Sequence, residues 1–310
     1  MTISQDVLGV DVSKNWIDVH RLRDGTARRI ATSAASLAGF AAELGAIDTL
    51  VVFEASGGYE RGLAEALDKA GVPRCRVNPR QARDFARAKG RFAKTDRVDA
   101  ASLAEMGRAL DLAPDPVPEP ARQRLAKLAR RLETLKDMEK SERQRLLRED
   151  DPFIAKEIRT LAQGIARRIA ALEAEIAGLI AETPRLAEDE ALLRSAPGIG
   201  PVLAHRLLAY LPELGQLDRR SIASLAGLAP HPCDSGAMRG RRKVWGGRPE
   251  ARRTLYLAAF IATRCDPGFK DFRAGLQDRG KPPKLAITAA ARKLATILNA
   301  MLKSRTPYAK

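Results

Sequence analysis

Two short apolar runs, Val7-Leu8-Gly9-Val10 and Leu50-Val51-Val52-Phe53, each end on a carboxylate, Asp11 and Glu54. Runs of this length, rich in β-branched residues, are those of strands buried on both faces. Between them, residues 16–22 alternate apolar and polar, and Asp24-Gly25 is a tight-turn signal before a second extended stretch over 27–32. Residues 58–70 have helical spacing through Leu63, Ala66 and Leu67 and stop at Gly71. Residues 75–77 read as a further strand, and helices follow from about Pro79. Strands alternating with helices predict an α/β layer domain over residues 1–112.

Asp11 and Glu54 therefore project from corresponding ends of two buried strands, which would bring them together if the strands are neighbours. Lys94-Thr95-Asp96-Arg97-Val98-Asp99 then opens a helix running to Leu110, and Asp96 and Asp99, three apart, share one of its faces. Taken singly, an Asp at a helix start reads as an N-cap. As a set with Asp11 and Glu54, the four acids would repel one another unless cations sat between them. Mg²⁺ takes carboxylate oxygens and keeps positions for phosphate and water. Two such ions would clamp the attacking and leaving oxygens of a phosphoryl transfer. Asp18, Glu60 and Glu65 lack this strand-end placement and read as solvated.

Beyond the first domain, Ala113-Pro114-Asp115-Pro116-Val117-Pro118-Glu119-Pro120 carries Pro at every second position, which predicts an extended linker over 113–120. Residues 121–185 are rich in Ala, Leu, Glu, Lys and Arg. Leu125, Leu128, Leu132 and Leu135 keep heptad-like spacing up to a break at Asp151-Pro152. A second register then runs through Ile158, Leu161, Ile165, Ile169, Leu172, Ile176 and Leu179. Two long amphipathic helices fit, either as an antiparallel coiled coil or as part of an ordinary bundle, and their narrow apolar seams predict a homo-oligomer. Residues 186–310 are mostly helical with Gly and Pro interruptions.

Charge narrows the partner. Lys and Arg total 54 against 38 Asp and Glu, a formal net charge of +16 that asks for a polyanion, nucleic acid first. The cations cluster in two places. Arg80, Arg83, Arg87, Lys89, Arg91 and Lys94 precede the second acid pair with Asp84 as the only acid among them, a pattern suited to phosphates rather than to a solvated face. Arg239, Arg241, Arg242, Lys243 and Arg248 alternate with Gly around Trp245 and directly follow Ser235. That serine, in a Gly-flanked turn, is chemically permitted as a nucleophile, and equally as a maker of local turn hydrogen bonds. Upstream, Ser195-Ala196-Pro197-Gly198-Ile199-Gly200-Pro201 has the form of a helix-hairpin-helix turn, whose backbone N–H groups around Gly198 and Gly200 can meet a phosphate. His205 and His231 receive no role.

Cys75, Cys233 and Cys265 lie far apart without a CxxC pair, so reduced thiols are expected rather than a disulfide framework or a zinc site. The first residues show no basic stretch followed by an apolar run, and no run approaches the roughly 20 apolar residues of a membrane span. A soluble, cytoplasmic protein without a membrane partner is expected.

The blocks LGVDVSKNWIDVH, VVFEASGGYERGLAEAL, NPRQARDFARAKGRFAKTDRVDAASLAE, SAPGIGPVLAHRLLAYL, LAGLAPHPCDSG and RGRRKVWGGRPEARRTLYLAA resemble the transposases of the insertion-sequence 110 family, a group that includes the Piv-type DNA invertases. The resemblance spans nearly the whole chain. It implies an N-terminal RuvC-like domain of RNase H fold with a DEDD tetrad, here Asp11, Glu54, Asp96 and Asp99, a coiled-coil middle, and a C-terminal domain with Ser235 as nucleophile. It implies Mg²⁺-assisted cutting and rejoining of donor and target DNA through a transient phosphoserine, at the bacterial nucleoid. It also implies an oligomer in which one protomer's tetrad faces another's serine, and a structured non-coding guide RNA, although no residue identifies that RNA. Two other readings compete: a RuvC-like junction nuclease that hydrolyses with water, and a non-enzymatic basic coiled-coil protein.

Overall fold

A computed structural model describes residues 6–45, 48–91, 96–117, 119–231, 234–235, 238–239 and 242–309, with backbone only at 96–98, 234–235 and 238–239. The chain divides into two compact units at Val117/Pro118.

The first unit holds β1 (Asp6–Val12), β2 (Trp16–Arg21), β3 (Ala27–Ala31), α1 (Ala34–Leu44), β4 (Thr49–Glu54), α2 (Glu60–Lys69), β5 (Arg74–Val77), α3 (Pro79–Ala88) and α4 (Asp96–Ala109). Its sheet has the order β3-β2-β1-β4-β5. β1, β2 and β3 run antiparallel, while β4 and β5 are parallel to β1. The alternating pleat sends Leu8, Val10, Val12, Val51 and Phe53 to one face, where Leu37, Phe40 and Leu44 of α1 and Leu63 and Leu67 of α2 cover them. Val7, Leu50, Val52, Cys75 and Val77 face the other way, onto Leu103 and Met106 of α4. Each large apolar side chain buried this way contributes roughly 1.5–3 kcal/mol.

What lets α4 lie flat on the sheet is the missing side chain of Gly9. A Cβ there would collide with the carbonyl oxygen of Ala100 and the amide of Ala104. Farther along the helix, Gly107 sits over Val7 and Val52, where a Cβ would stand 2.7 and 2.8 Å from their methyl groups. The helix thus runs against the direction of β1, and its N-terminal end lies toward the end of β1 that carries Asp11.

The second unit contains α5 (Pro120–Leu146), α6 (Pro152–Glu182), α7 (Pro184–Ser195), α8 (Pro201–Tyr210), α9 (Arg219–Leu225), β6 (Pro230–His231), β7 (Asp234–Ser235), β8 (Met238–Arg239), β9 (Lys243–Val244), α10 (Pro249–Cys265), α11 (Pro267–Asp278) and α12 (Pro283–Ser304). Proline opens most of these helices, since it lacks the N–H that a first turn leaves unpaired. α5 and α6 pack as an antiparallel pair across the short connection 147–151, tied by Arg124–Glu175 and by Lys136–Glu173 at 2.7 Å. Leu125, Leu132, Ile176 and Ile180 from this pair share one core with Leu186, Leu207, Leu255, Leu294 and Leu298. Residues 121–185 and 186–310 are thus packed as one unit rather than two separate bodies.

Two sequence expectations shift. The proline-rich stretch is partly held to the sheet: the Asp115 amide donates to the Arg74 carbonyl at 2.7 Å, and its carboxylate accepts from the Arg76 amide at 2.8 Å. Among the described residues α12 is the one helix long and apolar enough to cross a membrane by composition. It lies in the helical core, with Ala286, Ala290, Leu294 and Leu298 fully buried.

Candidate active site

Val10 of β1 is paired with Phe53 of β4 in parallel register, so the next residues, Asp11 and Glu54, stand level on neighbouring strands. Pleat parity puts both on the α4 side: Asp11 follows Val7 and Gly9, and Glu54 follows Leu50 and Val52. Each is half-buried where the apolar strand ends. Asp99, also half-buried, immediately precedes the Ala100 that lies on Gly9. Asp96 is the first residue of α4, and its side chain lies outside the described residues. The structure therefore brings two sheet acids and the acid-bearing end of α4 to one corner of the domain.

The loop after Glu54 is held from within. Ser56 and Gly58 donate their amides to Glu60 Oε2 at 3.1 and 2.8 Å, the Ser56 hydroxyl adds a contact at 3.3 Å, and Arg76 stands 3.8 Å from Oε1. Burial pushes the Glu60 carboxyl upward, but hydrogen bonds from its own amide and those of Gly58 and Ser56, with the Arg76 charge, outweigh it and leave the carboxyl below the ordinary glutamate range.

The expected phosphate-binding cations separate by their partners. Arg80, Arg87 and Lys89 are exposed on or just after α3, with long contacts to Asp84 (4.0 Å for each arginine) and Glu105 (3.6 Å). Arg83 is half-buried. Arg91 is half-buried, and its guanidinium donates to Ser102 at 3.0 Å and Glu105 at 2.6 Å, which ties the chain to α4. Arg74 is buried, with its fork on Asp68 at 2.7 and 2.9 Å. Lys94 lies outside the described residues.

In the second unit, Ser235 pairs with Met238 and Asp234 with Arg239 in the short β7–β8 ladder, while the side chains of Ser235 and Arg239, and all of Arg241, lie outside the described residues. Arg242, Lys243 and Trp245 are exposed, with Trp245 tilted against His231 at 4.9 Å between ring centres. Arg248 is half-buried. Its fork holds both oxygens of Glu213 at 2.6 and 2.7 Å and donates to the Tyr210 carbonyl, so it braces the start of α10. The 196–200 turn is divided. Gly198 adopts a φ of +80° and packs against α10, where a Cβ would press on the Ala258 carbonyl and stand 2.8 Å from the Ala262 amide. It is a packing residue. Gly200, at the N-terminus of α8, is exposed with nothing within 4 Å of a built Cβ.

Comparison with known proteins resolves the family. Residues 8–148 match the DEDD-type transposase model of the IS110 group, and residues 190–274 match the model described as Transposase IS116/IS110/IS902 family. The chain belongs to the IS110 family of transposases. The Pilin gene-inverting protein of Moraxella bovis is 28% identical to it over 99% of both chains. The insertion element IS900 uncharacterized 42 kDa protein of Mycobacterium paratuberculosis is 32% identical over 48% of this chain and 39% of its own. The structure titled T. thermophilus RuvC in complex with Holliday junction substrate covers 36% of this chain and 98% of its own at 15% identity, with a TM-score of 0.28, a likeness that carries no inference about activity.

Two buried neighbours of these acids escape sequence reasoning. Asp18 and Glu60, expected to be solvated, are buried at 7% and 5% exposure. Asp18 is the direct cross-strand partner of Asp11, and Arg29 grips both of its oxygens at 3.0 and 2.8 Å. The visible signal was parity: Asp18 stands between Ile17 and Val19, so it must face the side those residues do not. Among the described residues no three His, Cys, Asp or Glu side chains stand close enough to hold a metal ion. The donor set at this corner is nevertheless all carboxylate, the chemistry of a hard divalent cation rather than of zinc or copper.

Proposed function

We propose that this transposase cuts and rejoins DNA at a metal-assisted site formed by Asp11, Glu54, Asp96 and Asp99, with Ser235 as the nucleophile. The observation that carries the reading is the level placement of Asp11 and Glu54 on adjacent parallel strands, both facing the helix that begins at Asp96. Family membership of residues 190–274, which include Ser235, supports the second half. The four carboxylates would hold Mg²⁺, two ions by the resemblance. Bound there, the cation would supply positive charge to the phosphate and its leaving oxygen.

This chain's residues do the rest. Ser235 Oγ attacks the phosphorus of a DNA phosphodiester and loses its proton. One P–O bond to deoxyribose breaks, a phosphoserine ester forms, and the freed sugar hydroxyl takes up a proton. A hydroxyl of the second strand then attacks the phosphoserine and returns the serine. Exposed Arg80, Arg87, Lys89, Arg242 and Lys243 hold DNA phosphates. The Pilin gene-inverting relative supports site-specific recombination as the outcome. A guide RNA, a homo-oligomer joined through α5 and α6, and action at the bacterial nucleoid follow from the resemblance alone.

The test incubates the full chain with DNA of its element in Mg²⁺ and looks for a denaturant-resistant protein–DNA adduct. Wild type forms it, and Ser235→Ala and Asp11→Asn do not. An adduct in Ser235→Ala overturns the serine assignment, and cleavage without any adduct points to hydrolysis by water. Recovery of activity on mixing the two variants supports a site shared between protomers. Sequencing of co-purified RNA tests the guide.

A further inference from the structure

One row of charge crosses four strands of the sheet. In spatial order it reads Glu54 on β4, Asp11 on β1, Asp18 on β2 and Arg29 on β3. Glu54 and Asp11 are level, Asp11 is registered on Asp18, and Asp18 on Arg29. Neighbouring strands lie about 4.8 Å apart, so three carboxylates stand side by side, an arrangement that like-charge repulsion disfavours. Asp18 is buried, at 7% exposure. The Arg29 fork takes both of its oxygens, and this opposite charge offsets part of that repulsion.

A sheet position facing a helix is ordinarily apolar, as Val7, Leu50 and Val52 are on this same side. For stability alone a buried ion pair is no better than two well-packed apolar residues. Its placement next to Asp11 gives it another use. Resting on the metal-site reading above, we infer that the Asp18–Arg29 pair is a positioning device for that site: Arg29 withholds Asp18 from the cation held by Asp11 and Glu54, and its charge limits how tightly the cation binds. Space for the alternative exists. A cavity of about 290 Å³ is bordered by Asp18, His20, Arg28, Arg29 and Ala100, the residue after Asp99, so a released Asp18 has room to turn. An arginine suits the role because its planar fork occupies a carboxylate bidentately, whereas a lysine offers a single mobile ammonium.

The two partners then have opposite effects, which a merely structural pair would not show. Calorimetric titration of Mn²⁺ into the full-length protein, with circular dichroism to confirm folding, reads them. Arg29→Ala frees a carboxylate and removes a cation, and tightens Mn²⁺ binding by about tenfold, the scale of one unit charge at this range and a protein-like permittivity. Arg29→Lys tightens it less, because the charge remains and the fork does not. Asp18→Asn leaves the guanidinium facing the site and weakens binding by about tenfold. The double variant Asp18→Asn/Arg29→Ala returns to near the wild-type value, and serves where a single variant folds poorly. Shifts of the same sign in the two single variants, or shifts under twofold, overturn the inference while leaving the site intact. Undiminished Mn²⁺ binding in Asp11→Asn overturns the site itself, and the inference with it.

Discussion

Gly9 of β1 lies directly under Ala100 of α4, so close that a methyl group at position 9 would enter the Ala100 carbonyl oxygen. This contact fixes where the Asp99-bearing end of α4 stands relative to Asp11. Gly9→Ala must move a helix backbone rather than a flexible side chain, which places it at the upper end of overpacking costs, about 3 kcal/mol. Both thermal stability and Mg²⁺-dependent activity are expected to fall. Gly39→Ala is the control, because Gly39 is exposed in α1 with nothing within 4 Å of a built Cβ. It should stabilise by about 0.5–1 kcal/mol through helix propensity. Equal melting temperatures for wild type and Gly9→Ala would refute the close approach.

Glu60 yields a prediction in pH. Its folded carboxyl sits below the ordinary value of 4.5, so its ionised form is favoured in the native state. A depressed carboxyl stabilises above the unfolded value, and that contribution is lost as pH falls through the folded value. Glu60→Gln keeps one carbonyl acceptor but loses the charge-assisted part of the Ser56 and Gly58 bonds, about 1–2 kcal/mol. Its melting point should lie below that of wild type at pH 7, and the gap should close in acid below about pH 4. A gap that stays constant from pH 7 to pH 3 would show that the charge of Glu60 does not hold this loop.

These two residues mark what the sequence could and could not reveal. Strands β1 and β4 and the acids at their ends were legible because short apolar runs closed by a carboxylate have few other meanings. Helix starts were legible from Pro152 and Pro201, because proline suits a first turn. Register was not legible. Only pairing shows that Asp11 meets Asp18 and that Asp18 meets Arg29. Nor does a list of cations separate those facing solvent from those spent internally. Arg91 and Arg248 look like Arg87 and Arg242 in sequence, and differ because Glu105 and Glu213 stand within reach of their forks. The merging of α5 and α6 with the C-terminal helices was equally hidden, since heptad spacing specifies an apolar seam but not what fills it.

Asp189 concentrates charge inside the helical unit. Its buried carboxylate accepts from Arg122 at 2.7 Å and from Arg305, with Arg185 at 3.7 Å, joining α5, α7 and the segment after α12. Removing one partner of a buried ion pair leaves uncompensated charge and typically costs about 3–5 kcal/mol. Asp189→Asn should lower the unfolding free energy of the second unit by about that amount in urea melts. Asp189→Leu removes the acceptor as well and should be no better, because Arg122 would keep only the exposed Glu119 at 3.8 Å and Arg305 only the exposed Glu188. A loss under 1 kcal/mol in both variants would show that solvent takes over this carboxylate's role.

Gly198 and Gly200 separate packing from ligand binding within one turn. Gly198 has both a left-handed backbone and α10 pressed against it, so Gly198→Ala combines backbone strain with a clash and should cost at least about 2 kcal/mol. Gly200 has an ordinary negative φ of −92° at the N-cap of α8, so alanine fits its backbone. A helix N-terminus offers unpaired N–H groups to an anion, although Pro201 at the first helical position removes one of them. If this turn meets DNA phosphate, Gly200→Ala should leave the melting temperature within a degree or so of wild type. Its methyl group should nonetheless lower nonspecific DNA affinity a few-fold in low salt. Fluorescence anisotropy with a labelled duplex, read beside a thermal melt, decides the matter. Unchanged affinity in Gly200→Ala would make the turn a corner between α7 and α8 and leave phosphate binding to the exposed cations near Trp245.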